Sequence, residues 1–295
     1  MFFPCQFTGA LELEFGGGLN LLTYHPDKQA AHSGSEEYRK FQTYPFAIAN
    51  VSVRGDITNT LAVSINAVSD NVLLNSVNVL FSNRTDYFRF EFGPFAGIGD
   101  KAEIPDLGIK GSIEFTIPGI AFLTFGGSST LGSGFEFASD NVRESAEAKF
   151  GFWLPNLIPS VAISTKSSTR QANDFMTLRD TLTRLTFSAD LFFKNTNAAF
   201  RIDVGNETYT RLYKGGSEET TDELNAWFVG AEFRFQVSKP LRLIAGIEMP
   251  VIYTAAGFVK KTPDNPLGEV EHPMIAPDFL WNMFKANAGI VITVF

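Results

Sequence analysis

Apolar and polar residues alternate with a period of two along much of this chain. Residues 281–295, WNMFKANAGIVITVF, show the pattern most plainly. Phe284, Ala286, Ala288, Ile290, Ile292 and Val294 fall on one face; Lys285, Asn287, Gly289 and Thr293 fall on the other. Successive side chains of a strand point to opposite sides of a sheet, so this stretch predicts a strand with one apolar and one polar face. Such a strand is a poor sheet edge, and a closed barrel removes the edge by pairing the last strand with the first.

The same alternation marks earlier strands. Leu11, Leu13, Phe15, Leu19 and Leu21 oppose Glu12, Glu14 and Asn20 over 9–23. After a polar segment, 24–42, Ala47, Ala49, Val51 and Val53 oppose Asn50, Ser52, Arg54 and Asp56. Further strands are expected around Leu61 to Ala67, Val77 to Phe81, and Phe88 to Phe92. A loop is expected over 97–107. The stretch 110–141 is ambiguous: Pro118 and Gly119 read either as a tight turn or as a bulge, and Phe135 and Phe137 as a short strand or an extension. From Arg143 the pattern is regular. It predicts strands over 143–152, 161–170, 184–193, 200–207, 227–236 and 241–251, then the last one. Turns are expected at 155–159, 194–197 and 238–240, and longer loops at 214–222 and 259–279.

These elements total about 14 strands, with 12 or 16 as the alternatives set by 110–141. The fold class expected is all-β: a transmembrane, antiparallel, up-and-down β-barrel forming one domain over 1–295. Short connections near Ile57, Asn83, Pro155, Lys194 and Ser238 alternate with long ones near Tyr24, Gly97, Lys214 and Val259, as periplasmic turns and external loops do. Tyr24, Tyr44, Tyr87, Trp153, Tyr213, Tyr253 and Trp281 lie near strand ends and suggest aromatic girdles. Asn287, Gly289, Ile292, Val294 and Phe295 also resemble the C-terminal assembly signal of outer-membrane β-barrel proteins. That resemblance implies the bacterial outer membrane as location, its lipid as surroundings, and barrel-assembly machinery with periplasmic chaperones as partners in biogenesis.

Composition agrees. The chain has 295 residues, 44% of them hydrophobic, with 30 phenylalanines, yet no apolar run long enough for a membrane helix. A net charge of −8 and the lack of a basic cluster argue against nucleic acid as a partner. The single cysteine, Cys5, allows no internal disulfide. The start, MFFPCQF, lacks a basic and long apolar leader, so a form without its export signal is expected.

If the apolar residues face lipid, the polar ones face inward. The candidate lumen-lining residues of the first half are Glu12, Glu14, Arg54, Asp56, Arg89, Glu91 and Glu114. Those of the second half are Glu147, Lys149, Lys166, Arg170, Arg184, Asp190, Arg201, Asp203, Glu207 and Arg211, then Glu232, Arg234, Arg242, Glu248 and Lys285. Arg143 shares their parity. The first set is mainly acidic and the second mainly basic, which predicts opposed walls of unlike sign and a field across the lumen. Fourteen strands enclose more space than side chains fill, so a water-filled passage is expected.

Size and strand count resemble the monomeric 14-strand porins, which implies passive diffusion of small polar solutes. Two alternatives stay open: a carrier of hydrophobic substrates similar to the long-chain fatty-acid transporters, and a surface adhesin or anchor. Enzymatic readings find little support. His25, His32 and His272 all fall in expected loops, and Asp27 and Asp264 near them are commonplace loop residues. No catalytic residue, metal site or cofactor is expected, and the Gly16, Gly17, Gly18 run lacks the Lys and Ser/Thr of a phosphate loop.

Overall fold

The computed structural model describes residues 11–26, 39–58, 60–70, 74–98, 106–131, 141–173, 176–193, 196–215, 218–261, 270–272, 274–275 and 284–294. Cys5, Asp27, His32, Phe135, Phe137, Asp264, Trp281 and Phe295 lie outside these residues. The first half of the wall is β1 (Leu11–Pro26), β2 (Arg39–Asp56), β3 (Leu61–Asp70), β4 (Leu74–Arg84), β5 (Phe88–Ile98), β6 (Asp106–Ile117) and β7 (Ala121–Thr130). The second is β8 (Val142–Phe152), β9 (Leu157–Asn173), β10 (Met176–Phe192), β11 (Ala198–Gly215), β12 (Glu218–Ser238), β13 (Leu241–Lys261) and β16 (Lys285–Val294). Consecutive strands pair antiparallel, and β1 pairs with both β2 and β16, which closes a barrel of 14 strands. The last strand therefore leaves no edge.

One glycine decides the strand count. Gly119 has φ of 74°, and the Ile120 amide donates to the Ile117 carbonyl at 3.0 Å. With Pro118 before it, this is the turn that needs a left-handed third residue. So 110–130 is a hairpin, β6 and β7, not one bulged strand. The alternation of β7 is weak in sequence because Gly126 and Gly127 interrupt it.

Several expected loops are strand. Where a loop over 97–107 is expected, β5 runs on to Ile98 and β6 starts at Asp106. The turn expected at 155–159 is tighter, with β9 starting at Leu157. The acidic stretch 214–222 is mostly ladder: Lys214 lies opposite Glu219, and Arg211 opposite Asp222. Between β13 and β16, β14 (Val270–His272) pairs with β13, and β15 (Met274–Ile275) pairs in parallel with the start of β2. His25 and His272 thus sit on strand backbone, in β1 and β14, not in open loops.

The wall is uneven in height. Strands β3 to β8 have 10–12 residues, whereas β9 to β13 have 17–21. The outer face of the tall side changes character along one line. Ile163 gives way to Thr165, Leu185 to Thr183, Val204 to Asn206, Trp227 to Asn225, and Ile252 to Thr254. These residues are cross-strand neighbours, so the line runs unbroken from β9 to β13. On one side Phe187, Trp227, Val229, Phe233, Ile247 and Ile252 stand exposed. On the other the polar groups bond to each other: Asn225 Nδ2 donates to Thr208 Oγ1 at 2.7 Å, and the Asn206 and Asn225 amides exchange bonds at 3.0 and 3.2 Å. An exposed apolar surface this extensive has no place in water. Along β12 the band runs from Trp227 to Val237, which at about 3.4 Å per residue and a tilt of about 40° is roughly 26 Å, the height of an outer-membrane hydrocarbon belt.

Candidate functional site

The inner face is built in rows. Register places alternate residues of neighbouring strands side by side, and their side chains meet on the concave surface. Contacts between strands several places apart identify that surface: Arg184 of β10 bonds Glu248 of β13, and Lys285 of β16 bonds Glu207 of β11 at 2.9 Å. Every candidate lumen residue of the sequence shares this inward parity by register.

An upper charged row of the tall wall joins Asp180, Arg211 and Asp222. Arg211 Nη2 donates to Asp180 Oδ2 at 2.7 Å, and the Tyr209 hydroxyl donates to Asp180 as well. Arg170 approaches the same carboxylate at 3.8 Å. Below it lies an apolar row, Leu182, Tyr209, Leu224 and Ala255, with Tyr253 and Ala226 packed against it. Tyr209 and Leu224 are 2% and 1% exposed, so this part of the inner face is core. Tyr253 therefore belongs to the interior, and so does Tyr213, whose ring faces Arg211; neither forms a girdle. Trp153 packs on the inward ring of Phe122 instead. Of the described candidates Tyr87 stays exposed just before β5, and Trp227 also stands at the edge of the apolar band.

The next rows hold a four-charge cluster. Arg184 bonds Glu207 at 3.0 Å and Glu248, while Lys285 bonds both carboxylates, at 2.9 and 3.0 Å. The Arg184 guanidinium lies 3.8 Å from the Phe228 ring centroid. Gly205 makes this stacking available, because a Cβ there would stand 2.6 Å from the Phe228 ring and 2.1 Å from the Leu185 carbonyl. Gly205→Val is accordingly expected to lower stability by about 1–3 kcal/mol, through overpacking, in denaturant titrations of the folded barrel.

The half toward the short turns, expected to be periplasmic, is more accessible than the Asp180 row. Arg201 pairs with Asp203 at 2.8 Å, Arg234 with Glu232 at 2.6 Å and with Asp190 at 3.3 Å. Across the barrel Arg54 pairs with Asp56 at 3.5 Å, and Arg89 with Glu91. Among the described residues Lys110, Lys149 and Arg242, and Glu12, Glu14, Glu114 and Glu147, enter no ion pair. Glu114 instead accepts from Thr116 and Thr124. On the short wall Arg143, 3% exposed, pairs with buried Asp106 at 2.5 Å and donates to the Asn75 carbonyl at 3.1 Å, tying β8 to β6 and β4.

The alternation pattern does not single out Asp180, Asp222, Asp106 or Lys110. Their presence changes the electrostatics. The arginines of the tall wall are mostly neutralised by carboxylates of that same wall, so the expected basic wall facing an acidic one is replaced by local pairing. Of the residues that resemble an assembly signal, Asn287 and Gly289 face inward and Ile292 and Val294 outward in β16.

No family model and no curated relative matches the sequence. Solved structures with a similar course include OmpT of Vibrio cholerae, at 11% identity and a TM-score of 0.41, covering 96% of each chain. An outer-membrane channel from Pseudomonas putida F1 gives 9% and 0.43, covering 100% of this chain and 99% of the other. OprB of Pseudomonas putida gives 9% and 0.36, covering 97% and 94%. At such identities and scores the likeness extends no further than barrel architecture. The wall itself carries the conclusion: closed, even-stranded, apolar outside and charged within, the chain is a bacterial outer-membrane β-barrel.

Proposed function

We propose that the barrel is a channel for passive diffusion of small polar solutes across the outer membrane, formed by the whole chain as one domain, and that it is not an enzyme. The observation that supports this most is the accessible, mixed-sign inner face of the periplasmic half. Arg201, Arg234, Arg54 and Arg89 keep 25–35% of their side chains exposed while paired inside the wall. Charges that keep this exposure are hydrated, and hydrated charges on the inside of a wide barrel describe a water path. Assembly by barrel-assembly machinery and periplasmic chaperones belongs to the same proposal. The apolar inner row around Leu224 is packed against itself, so it does not favour a hydrophobic-substrate carrier.

Planar-bilayer conductance tests the reading. Among the described residues the unpaired inner charges are nearly balanced, three basic against four acidic, and the chain is acidic overall. Reversal potentials across a salt gradient should therefore give a cation preference within about threefold of unity, fading as salt approaches about 1 M. A strong anion preference, or well-folded protein that does not conduct, would overturn it.

A further inference from the structure

An alcove in the inner wall where the chain closes on itself has the features of a solute site. Its sides are Glu14, Glu232, Arg234, Arg242 and Ile244, around a cavity of about 310 Å³. Between the flanks lie Gly16 and Gly289, paired with each other and bordered by Asn50 and Ile244. A Cβ on Gly16 would meet nothing closer than 3.8 Å, so backbone packing does not demand glycine there. The bare wall leaves open space.

The charges around this space are unevenly satisfied. Arg234 is held by Glu232 and Asp190. Among the described residues Arg242 has no ion pair, and its Nε is buried without a hydrogen-bond partner. The cross-strand neighbour Gln236 is held toward the turn, where its Nε2 donates to the carbonyls of Ser238, Lys239 and Leu241. Among the described residues Glu14 accepts only a 3.4 Å bond, from Asn50. Glu14 and Arg242 stand at one level, each opposite Val291 of the intervening strand. Two strand spacings separate their backbones, about 10 Å. Val291, 2% exposed, points inward between them, no hydrogen bond or ion pair joins the two among the described residues, and the open space lies one row on, over Gly16 and Gly289.

We infer that this alcove binds small zwitterions, the carboxylate on the Arg242 guanidinium and the ammonium on the Glu14 carboxylate. Guanidinium and carboxylate suit these roles because each offers charge-assisted hydrogen bonds to the opposite end of one solute. The site's place on a permeation path rests on the channel reading; its affinity does not.

The probe is 4-aminobutyrate, whose charged ends lie about 5 Å apart when extended. It is titrated into folded protein in detergent, with butyrate and butylammonium as single-charge controls. The zwitterion should bind about tenfold more tightly than either control. Arg242→Gln and Glu14→Gln should each reduce its affinity to the level of the control that lacks the corresponding charge. Gly16→Val, which fills the floor, should abolish binding while the gel mobility of the folded barrel is retained. Equal binding of butyrate, equal binding of butylammonium, or no binding of 4-aminobutyrate would each overturn the inference. Conductance measured on the same protein separates the two ideas. Conduction without binding removes the alcove and leaves the channel, whereas binding without conduction does the reverse.

Discussion

Arginine in place of Phe233 should destabilise the folded barrel by about 2–4 kcal/mol, and arginine in place of Thr183 by less than about 1 kcal/mol. Both positions lie on the outer face of the tall wall and both are exposed. They differ in depth. Phe233 lies six residues from Trp227 and four from Val237 along β12, close to the middle of the apolar band. Thr183 lies beyond the line where Leu185 ends that band, beside Thr165 and Thr208. A charge at mid-band leaves water for hydrocarbon; a charge above it stays hydrated. Phe187→Arg and Ile247→Arg should behave like Phe233→Arg. Denaturant unfolding in lipid vesicles, followed by intrinsic fluorescence, gives the numbers. Equal costs at Phe233 and Thr183 would mean that the polar line on the outer face is not the membrane boundary. An inward control at Gly246 needs care: a Cβ there would stand 2.3 Å from Asn287 Oδ1, so the Asn287 side chain must move aside.

That boundary also explains what pattern-reading could and could not see. Within the apolar band the period of two has one meaning, apolar outward, and strands such as β5 and the lower half of β12 are plain in the sequence. Above the band the meaning reverses. Leu178 and Leu182 of β10, Tyr209 and Tyr213 of β11, and Leu224 of β12 point inward, while threonines and asparagines take the outer face. The apolar residues thus shift by one position with no bulge between β10 and β11 or between β11 and the upper half of β12. Read linearly, such a phase change looks like the end of a strand. That is why the stretches after Arg170, before Arg184 and over 214–222 read as non-strand in the sequence. The charged candidates carried inward parity correctly because parity survives as long as the ladder does. Asp180 and Asp222 carry no sequence signal because they sit in those hidden strand ends. The four-charge cluster could not be foreseen either: Arg184 and Glu248 are 64 residues apart, and only closure and curvature bring them together.

Removing the Arg211 guanidinium should have the largest effect of any single change in the tall wall. Arg211→Met is expected to cost about 3–5 kcal/mol, since it leaves Asp180 buried without its bidentate partner. Arg211 and Asp180 are 4% and 6% exposed, and Asp222, fully buried, stands opposite Arg211 in register on the other side. The same exchange at Arg54, whose pair with Asp56 remains accessible, should cost less than about 1 kcal/mol. The cause is tested by combining changes. If the loss comes from the stranded carboxylate, Arg211→Met with Asp180→Leu should recover much of it, because two matched apolar groups carry no desolvation penalty. If Asp222 also depends on Arg211, that double variant will remain destabilised until Asp222→Asn is added. A double-mutant cycle on unfolding free energy separates these cases. A loss at Arg211 below about 1 kcal/mol would show that the row is hydrated and that the upper inner face of β10 to β12 is open lumen, not core.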